Sequence, residues 1–475
     1  ILAGSSGVTS GYTINQSIRF NDDDSPKLKR TFSSAGTEET FTFSCWLKRG
    51  NIGANLGDYS QGLAIFSGGS SGNNYGEIRI DSSGYGVQDS LHFYNISGGS
   101  FNMQLVTTRL FRDPSAWYHI VCVMDTTNAI ASERMRIYVN GDRETSFSTE
   151  TYPAQNTASH YNTATEHGVG ICPPPATEAR SFEGYFAEVH FLDGYAYGPE
   201  YFGEFKEDTN IWIPKEYTGS YGSNGFKIDG RDSGDLGDDE SGNGNDFASS
   251  GLTANDQVTD TPTNNFSVFS PIILNTAGGV SRNAVFSNGN LQLDNTTTTG
   301  DFPASSIFPP ASFKGYAEFY VTHSGSGNFG STGNNRIMVL DDSSLVNATT
   351  WASLYYSTGN ITASGESTVS STAWAKGDVI GVAVDMANDV KWYRNGSLLA
   401  TQDVGASYQS LGYMFVMRMS QDTSKNPTII ANYGQEGTFA GNISAGGNSD
   451  SNGVGDFKYS VPSGYLALCT KNLGS

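Results

Sequence analysis

Trp117-Tyr118-His119-Ile120-Val121-Cys122-Val123-Met124-Asp125, followed after a polar loop by Met135-Arg136-Ile137-Tyr138-Val139 and then Asn140-Gly141, decides the fold class. The two apolar runs read as antiparallel strands, and Asn-Gly is a strong hairpin signal because both residues tolerate positive φ. The phrase recurs in the second half. There Gly377-Asp378-Val379-Ile380-Gly381-Val382-Ala383-Val384-Asp385 precedes Val390-Lys391-Trp392-Tyr393-Arg394 and Asn395-Gly396. Elsewhere the apolar pattern alternates with period two between Gly, Asn, Asp and Ser clusters, and no long segment shows a 3.6-residue period. An all-β protein built as two related units is expected.

Between the two phrases lies the acidic run from Asp229 to Asp246. It reads as a junction, which puts a first domain at 1–215, a junction at 216–262 and a second domain at 263–475. The length of 475 residues allows several domains, each able to bury its own core. Lys and Arg total 27 against 48 Asp and Glu, a formal charge of −21. Such a field repels phosphate backbones and anionic membrane surfaces, so nucleic acid is not an expected partner. With 57 Gly and only 16% charged residues, the polar surface must come from Gly, Ser, Thr and Asn, as in turn-rich β structure. Aromatics at 12% supply too much large apolar surface for a disordered chain. No apolar run is long enough for a spanning helix, so membrane insertion is not expected. The opening Ile1 to Gly7 has neither an initiator Met nor a basic region before an apolar stretch, and no secretory signal is read there.

Cys45, Cys122, Cys172 and Cys469 form no CxxC pair, which speaks against a zinc ribbon or a redox motif. Cys45 and Cys122 lie in strand-like runs and are expected to act as small buried hydrophobes. The six histidines are dispersed, and His160 and His167, with Glu166, read as a solvated polar loop, a metal site being the competing reading. A glycan hydrolase needs two carboxylates flanking the scissile bond. The nearest approach is Glu188 with Asp193, but five residues apart they point to opposite faces of a regular strand. No Gly-x-Ser-x-Gly elbow opens a helix.

Two binding features remain. Asp232, Asp235, Asp238 and Asp239 could offer hard oxygen ligands to Ca²⁺, although their spacing matches no EF-hand; the competing reading is a solvated, charge-extended connector. The smaller cluster Asn21-Asp22-Asp23-Asp24 has the same two readings. Tyr195, Tyr197, Tyr217, Tyr221, Tyr355 and Tyr356 could present aromatic faces to sugar rings from exposed loops, or could be packing residues.

Thr40 to Arg49, Trp117 to Gly141 and Phe182 to Gly194 resemble the strand phrases of laminin-G-like, concanavalin-type domains. The residues after Lys376, with Asn432-Tyr433-Gly434-Gln435 and Val461 to Cys469, are similar to a SPRY domain. The order of these phrases, with Ser241 to Phe247 and Thr261 to Phe266, resembles tail-fibre-like virion proteins of tailed phages from marine bacteria. The resemblance implies two tandem concanavalin-like jelly-roll β-sandwiches. It also implies a non-enzymatic fibre, spike or head appendage, assembled in the host cytoplasm and displayed on the particle exterior. Expected partners are other virion subunits, a host-surface glycan or protein, and further copies of the chain in a homo-oligomer. A capsid-decoration or collar protein and a polysaccharide depolymerase are the alternatives, since the sandwich hosts many functions. A bacterial adhesin using the same domains is a further one.

Overall fold

The structure is a computed structural model, and it describes residues 11–50, 52, 62–82, 86–172, 181–274, 284–295, 303–323, 335–341, 352–355, 359–363, 369, 374–403, 412–418 and 426–474. The chain divides into two compact units, Thr9–Thr263 and Asn264–Ser475. Both are sandwiches of antiparallel strands, apart from Leu466–Ala467, which pairs parallel with Gly315–His323, and among the described residues no helix is long and apolar enough to cross a membrane.

In the first unit, one sheet runs Asp142–Arg143, Met135–Val139, Trp117–Asp125, Thr40–Arg49, Gly184–Asp193, Ser17–Phe20, Gln257–Val258, with Phe226–Ile228 also on Gly184–Asp193. The facing sheet runs Phe147–Thr151, Ser100–Leu110, Ser90–Ser97, Asn74–Ile80, Leu63–Ser71, Glu166–Val169, Lys27–Thr31, Ala248–Ser250. Period-two alternation sends Phe41, Phe43, Cys45 and Leu47 into the core between the sheets, where Phe43 stacks on Phe66 at 4.9 Å. Each such side chain, fully buried, contributes about 1.5–3 kcal/mol. Cys45 and Cys122 are both buried thiols in this core.

The second unit packs a sheet of Phe269–Leu274, Pro303–Ser305, Tyr413–Arg418, Arg336–Asp341, Ala352–Tyr355, Ile361–Ala363 against a second sheet. That second sheet runs Ala284–Ser287, Gln292–Asn295, Pro427–Asn432, Gly315–His323, Asp378–Asp385, Asp389–Arg394, Ser397–Asp403. Trp374, Trp392, Phe319, Phe415 and Tyr433 fill its core.

The two Asn-Gly turns are wired alike. Asn140 and Asn395 adopt φ of 50° and 49°, and the following glycines 85° and 79°. Each Asn side chain accepts from a strand N–H, of His119 at 2.8 Å and of Val379 at 2.9 Å. An aromatic ring lies against each glycine, Trp212 at Gly141 and Tyr459 at Gly396, leaving no room for a Cβ. Gly141→Ala is therefore expected to destabilise the first unit by about 1–3 kcal/mol, through positive-φ strain and displacement of Trp212, as read by urea unfolding.

The acidic stretch does not behave as a junction. Residues 216–262 contribute the strands Phe226–Ile228, Ala248–Ser250 and Gln257–Val258 to the first sandwich. Its apolar residues explain this: Phe226, Ile228, Leu236 and Phe247 are at most 3% exposed and join the core. Asp260, at its end, forms a fully buried ion pair with Lys48 at 2.8 Å. His167 also departs from the loop reading. It sits in strand Glu166–Val169, buried and stacked on Phe32 at 4.0 Å, and burial pulls its pKa down to about 4.

Candidate functional site

Val121, Val123 and Leu192 face away from the core of the first sandwich, so that sheet is apolar on both sides and needs a cover. Residues 194–225 supply it. Thr42 Oγ1 donates to the Tyr195 carbonyl at 2.8 Å and accepts from Tyr197 N–H at 2.9 Å, pinning the loop to strand Thr40–Arg49. Over this anchor the Tyr195 and Tyr197 rings lie 5.3 Å apart, and Tyr197 stacks on Tyr201 at 4.1 Å and 9°. Tyr201 is 41% exposed, and its ring stacks on that of Tyr197. Tyr217 and Tyr221 are buried packing residues, with rings 5.0 Å apart and phenol pKa values pushed up by burial. The spacing Tyr195-x-Tyr197-x-x-x-Tyr201 is the sequence signal that brings in Tyr201, which sequence reasoning missed.

Beneath the cover lies a polar cluster. Strand Gly184–Asp193 bulges between Ala187 and His190, where Glu188 takes a φ of 50°, and the Glu188 and His190 side chains meet. Glu188 accepts from Tyr12 Oη at 2.8 Å and His190 Nε2 at 3.2 Å, with Lys227 Nζ at 3.3 Å. Burial opposes its ionisation, but His190, Lys227 and Tyr12 overcome this and hold the carboxyl at about 2. Asp193 is similarly occupied, accepting from Thr37 N–H at 2.8 Å, Asn162 Nδ2 at 2.6 Å and Asn224 N–H at 3.1 Å.

Ser44 Oγ lies 2.9 Å from His119 Nε2. Trp212 Nε1, which can only donate, meets His119 Nδ1 at 3.0 Å, so the proton of the neutral imidazole sits on Nε2 and is donated to Ser44. Burial lowers the His119 pKa to about 3, with His190 adding to the effect. The imidazole thus has no free lone pair with which to take the Ser44 proton.

Residues 20–196 match a laminin G family model, that of the concanavalin A-like lectin/glucanases superfamily. The first sandwich has a laminin-G-type, concanavalin-like fold. Among solved structures, the chain is similar to a heptameric SAP-like pentraxin from Limulus polyphemus at 16% identity and a TM-score of 0.27, over 38% of this chain and 78% of that one. It is similar to the SPRY domain of human HERC1 at 20% identity and a TM-score of 0.25, over 34% and 96%. With the LG1-3 region of the laminin α2 chain the values are 8% and 0.31, over 88% and 62%. No curated protein matches the chain in sequence.

On the laminin-G domain's other sheet, Glu77, Arg79 and Asp81 alternate along Asn74–Ile80 and its end, beside His92 and Tyr94 of Ser90–Ser97. All five are buried. Arg79 ties the two carboxylates, with Nε 2.6 Å from Asp81 and Nη1 3.4 Å from Glu77, and Tyr94 Oη donates to Glu77. The Glu-x-Arg-x-Asp alternation is visible in the sequence; its burial is not.

The acidic candidates Asp232, Asp235 and Asp239 engage backbone N–H groups. Asp232 Oδ1 accepts from Gly234 N–H at 2.8 Å and Asp235 Oδ1 from Gly237 N–H at 3.2 Å, each closing a turn. Asp239 is buried and accepts from the N–H groups of Lys227, Ser241 and Asn245. Asp238 has its pKa raised by partial burial and then by Asp246, Asp235 and Asp232. Asn21 Nδ2 donates to Asp24 at 2.7 Å, within the smaller cluster. Among the described residues, no three His, Cys, Asp or Glu side chains are placed to hold a metal ion. In the second unit Tyr355 closes strand Ala352–Tyr355, and Tyr356 lies outside the described residues.

Proposed function

We propose that the protein is a non-enzymatic recognition protein that binds host-surface glycan through the Tyr195–Tyr197–Tyr201 face of its laminin-G domain, displayed in several copies on a phage particle. The observation that carries this reading is the stack ending in the 41% exposed Tyr201 ring, held by backbone contacts to Thr42. An aromatic face on a rigid sheet suits the C–H surface of a sugar ring and costs little ordering entropy on binding. The phrase order of the sequence supports the virion setting. The full occupation of Glu188 and Asp193, and the Ser44–His119 polarity, support binding over hydrolysis. Multiple copies would turn weak single contacts into avidity.

The test is binding of the full chain to a glycan array and to intact host cells, in calcium and in EDTA. Saturable binding is expected, weakened about tenfold by Tyr201→Ala. It should survive EDTA, because the carboxylates of Asp232, Asp235 and Asp239 are committed to backbone N–H groups. Absence of binding by a folded sample would favour a decoration or collar role. Release of reducing sugar would favour a depolymerase.

A further inference from the structure

The chain between Phe202 and Tyr217 makes a hairpin, Gly203–Phe205 paired with Trp212–Pro214. It is fastened from below: Trp212 donates to His119, and its indole lies against Gly203 so closely that a Cβ there would collide. Along this hairpin is an open groove of about 460 Å³, lined by Gly11, Glu204, Phe205, Lys206, Glu207, Asp208 and Ile213. The volume is that of a small-ligand site. Phe205 is 42% exposed and packs edge-on against Trp212 at 4.9 Å, so it offers an anchored ring to an occupant.

The charges of the groove are one-sided. Lys206 Nζ is taken by Asp208 at 3.2 Å. Glu204 and Glu207 are exposed, and among the described residues no cation lies within ion-pairing distance of either. Lys215, the other lysine of the 194–225 cover, turns its ammonium to the Glu200 carbonyl at 3.1 Å. An exposed aromatic ring and unneutralised carboxylates lining one groove attract an ammonium group twice over, through the ring quadrupole and through Coulomb attraction.

We infer that this groove is a binding subsite for an amine-bearing sugar unit, with Phe205 under the ring and Glu204 and Glu207 receiving the ammonium. The inference rests on the glycan-recognition reading and adds a ligand class to it: amino sugars are preferred, neutral sugars tolerated, and uronic, sulfated or phosphorylated sugars disfavoured. The domain's neighbouring tyrosine stack would take adjoining units of the same chain.

The experiment compares three soluble oligosaccharides on the full chain by calorimetry at low and at high salt: a glucosamine oligomer, its N-acetylated counterpart with the same backbone, and a glucuronate-containing oligomer. The glucosamine oligomer should bind about threefold to tenfold more tightly than the acetylated one at low salt, a margin that shrinks at about 0.5 M salt through screening. The acidic oligomer should bind most weakly. Glu204→Gln/Glu207→Gln, two exposed substitutions, should erase the amine preference and bring the two oligomers to equal affinity, while Phe205→Ala should weaken both. Equal binding of the amine and acetyl forms, or an amine preference that survives the double substitution, overturns the inference and leaves glycan recognition standing. No binding of any of the three, together with a blank glycan array, overturns the recognition reading itself.

Discussion

Asp260→Ala is expected to destabilise the laminin-G domain by about 3–5 kcal/mol, the cost of breaking a buried ion pair from one side. Lys48 and Asp260 are both fully buried and 2.8 Å apart. Burial pulls the Lys48 pKa down, and Asp260 acts against that pull. The same carboxylate accepts from Trp117 Nε1 at 3.1 Å, and Ser17 Oγ donates to the Asp260 carbonyl at 2.6 Å. The substitution therefore deprives both the ammonium and the indole of this acceptor and loosens the end of the acidic stretch where it joins the sheet. Lys48→Met/Asp260→Leu, which removes both charges while keeping volume, should recover most of the loss. Thermal unfolding of the three proteins distinguishes the outcomes: a single variant as stable as the parent, or a double variant no better than the single, would refute the role given to this pair.

The second large effect is a pH dependence in the other unit. Glu318, in strand Gly315–His323, accepts from Lys458 N–H at 2.8 Å, Tyr459 N–H at 2.9 Å and Tyr316 Oη at 3.2 Å, so it clamps the 458–459 segment to the sheet. Lys458 points its ammonium to Ser444, and among the described residues no cation pairs with Glu318. Burial dominates these donors and raises the carboxyl from 4.5 to about 7. The folded state thus holds this proton more tightly than the unfolded chain, and the stability it contributes is present below pH 4.5 and lost as pH climbs to about 7. The loss amounts to about 3 kcal/mol. Glu318→Gln cannot ionise, though it gives up an acceptor, at about 1–3 kcal/mol. Against the parent, the variant should improve by about 3 kcal/mol between pH 5 and pH 8 in urea unfolding. A stability difference that stays constant with pH would show that Glu318 does not titrate in this range.

Much of the fold is legible in the sequence because it rests on local signals. The strand phrases Thr40–Arg49, Trp117–Asp125 and Asp378–Asp385 alternate with period two, and the Asn-Gly turns require the positive φ they display. The acidic stretch was misleading because Asp and Gly dominate its composition, while the apolar side chains that anchor it, Phe226, Ile228, Leu236 and Phe247, are few and scattered in it. The tyrosine site was half legible. Nothing in the loop separates Tyr217, which is buried, from Tyr201, which is not; the difference lies in what is underneath, and the outward-facing Val121, Val123 and Leu192 are the only local hint. The bulge at Glu188 is invisible to a regular-strand reading. Even so, Asp193 turns to Thr37, Asn162 and Asn224, away from the partners of Glu188.

The central claim, glycan recognition at the stacked tyrosines, is tested most directly by equilibrium binding of one array-identified oligosaccharide to the parent protein and to Tyr197→Ala/Tyr201→Ala. Saturable binding by the parent, lost in a double variant that unfolds at nearly the parent's temperature, is the predicted result. Undiminished binding by that folded double variant would contradict it.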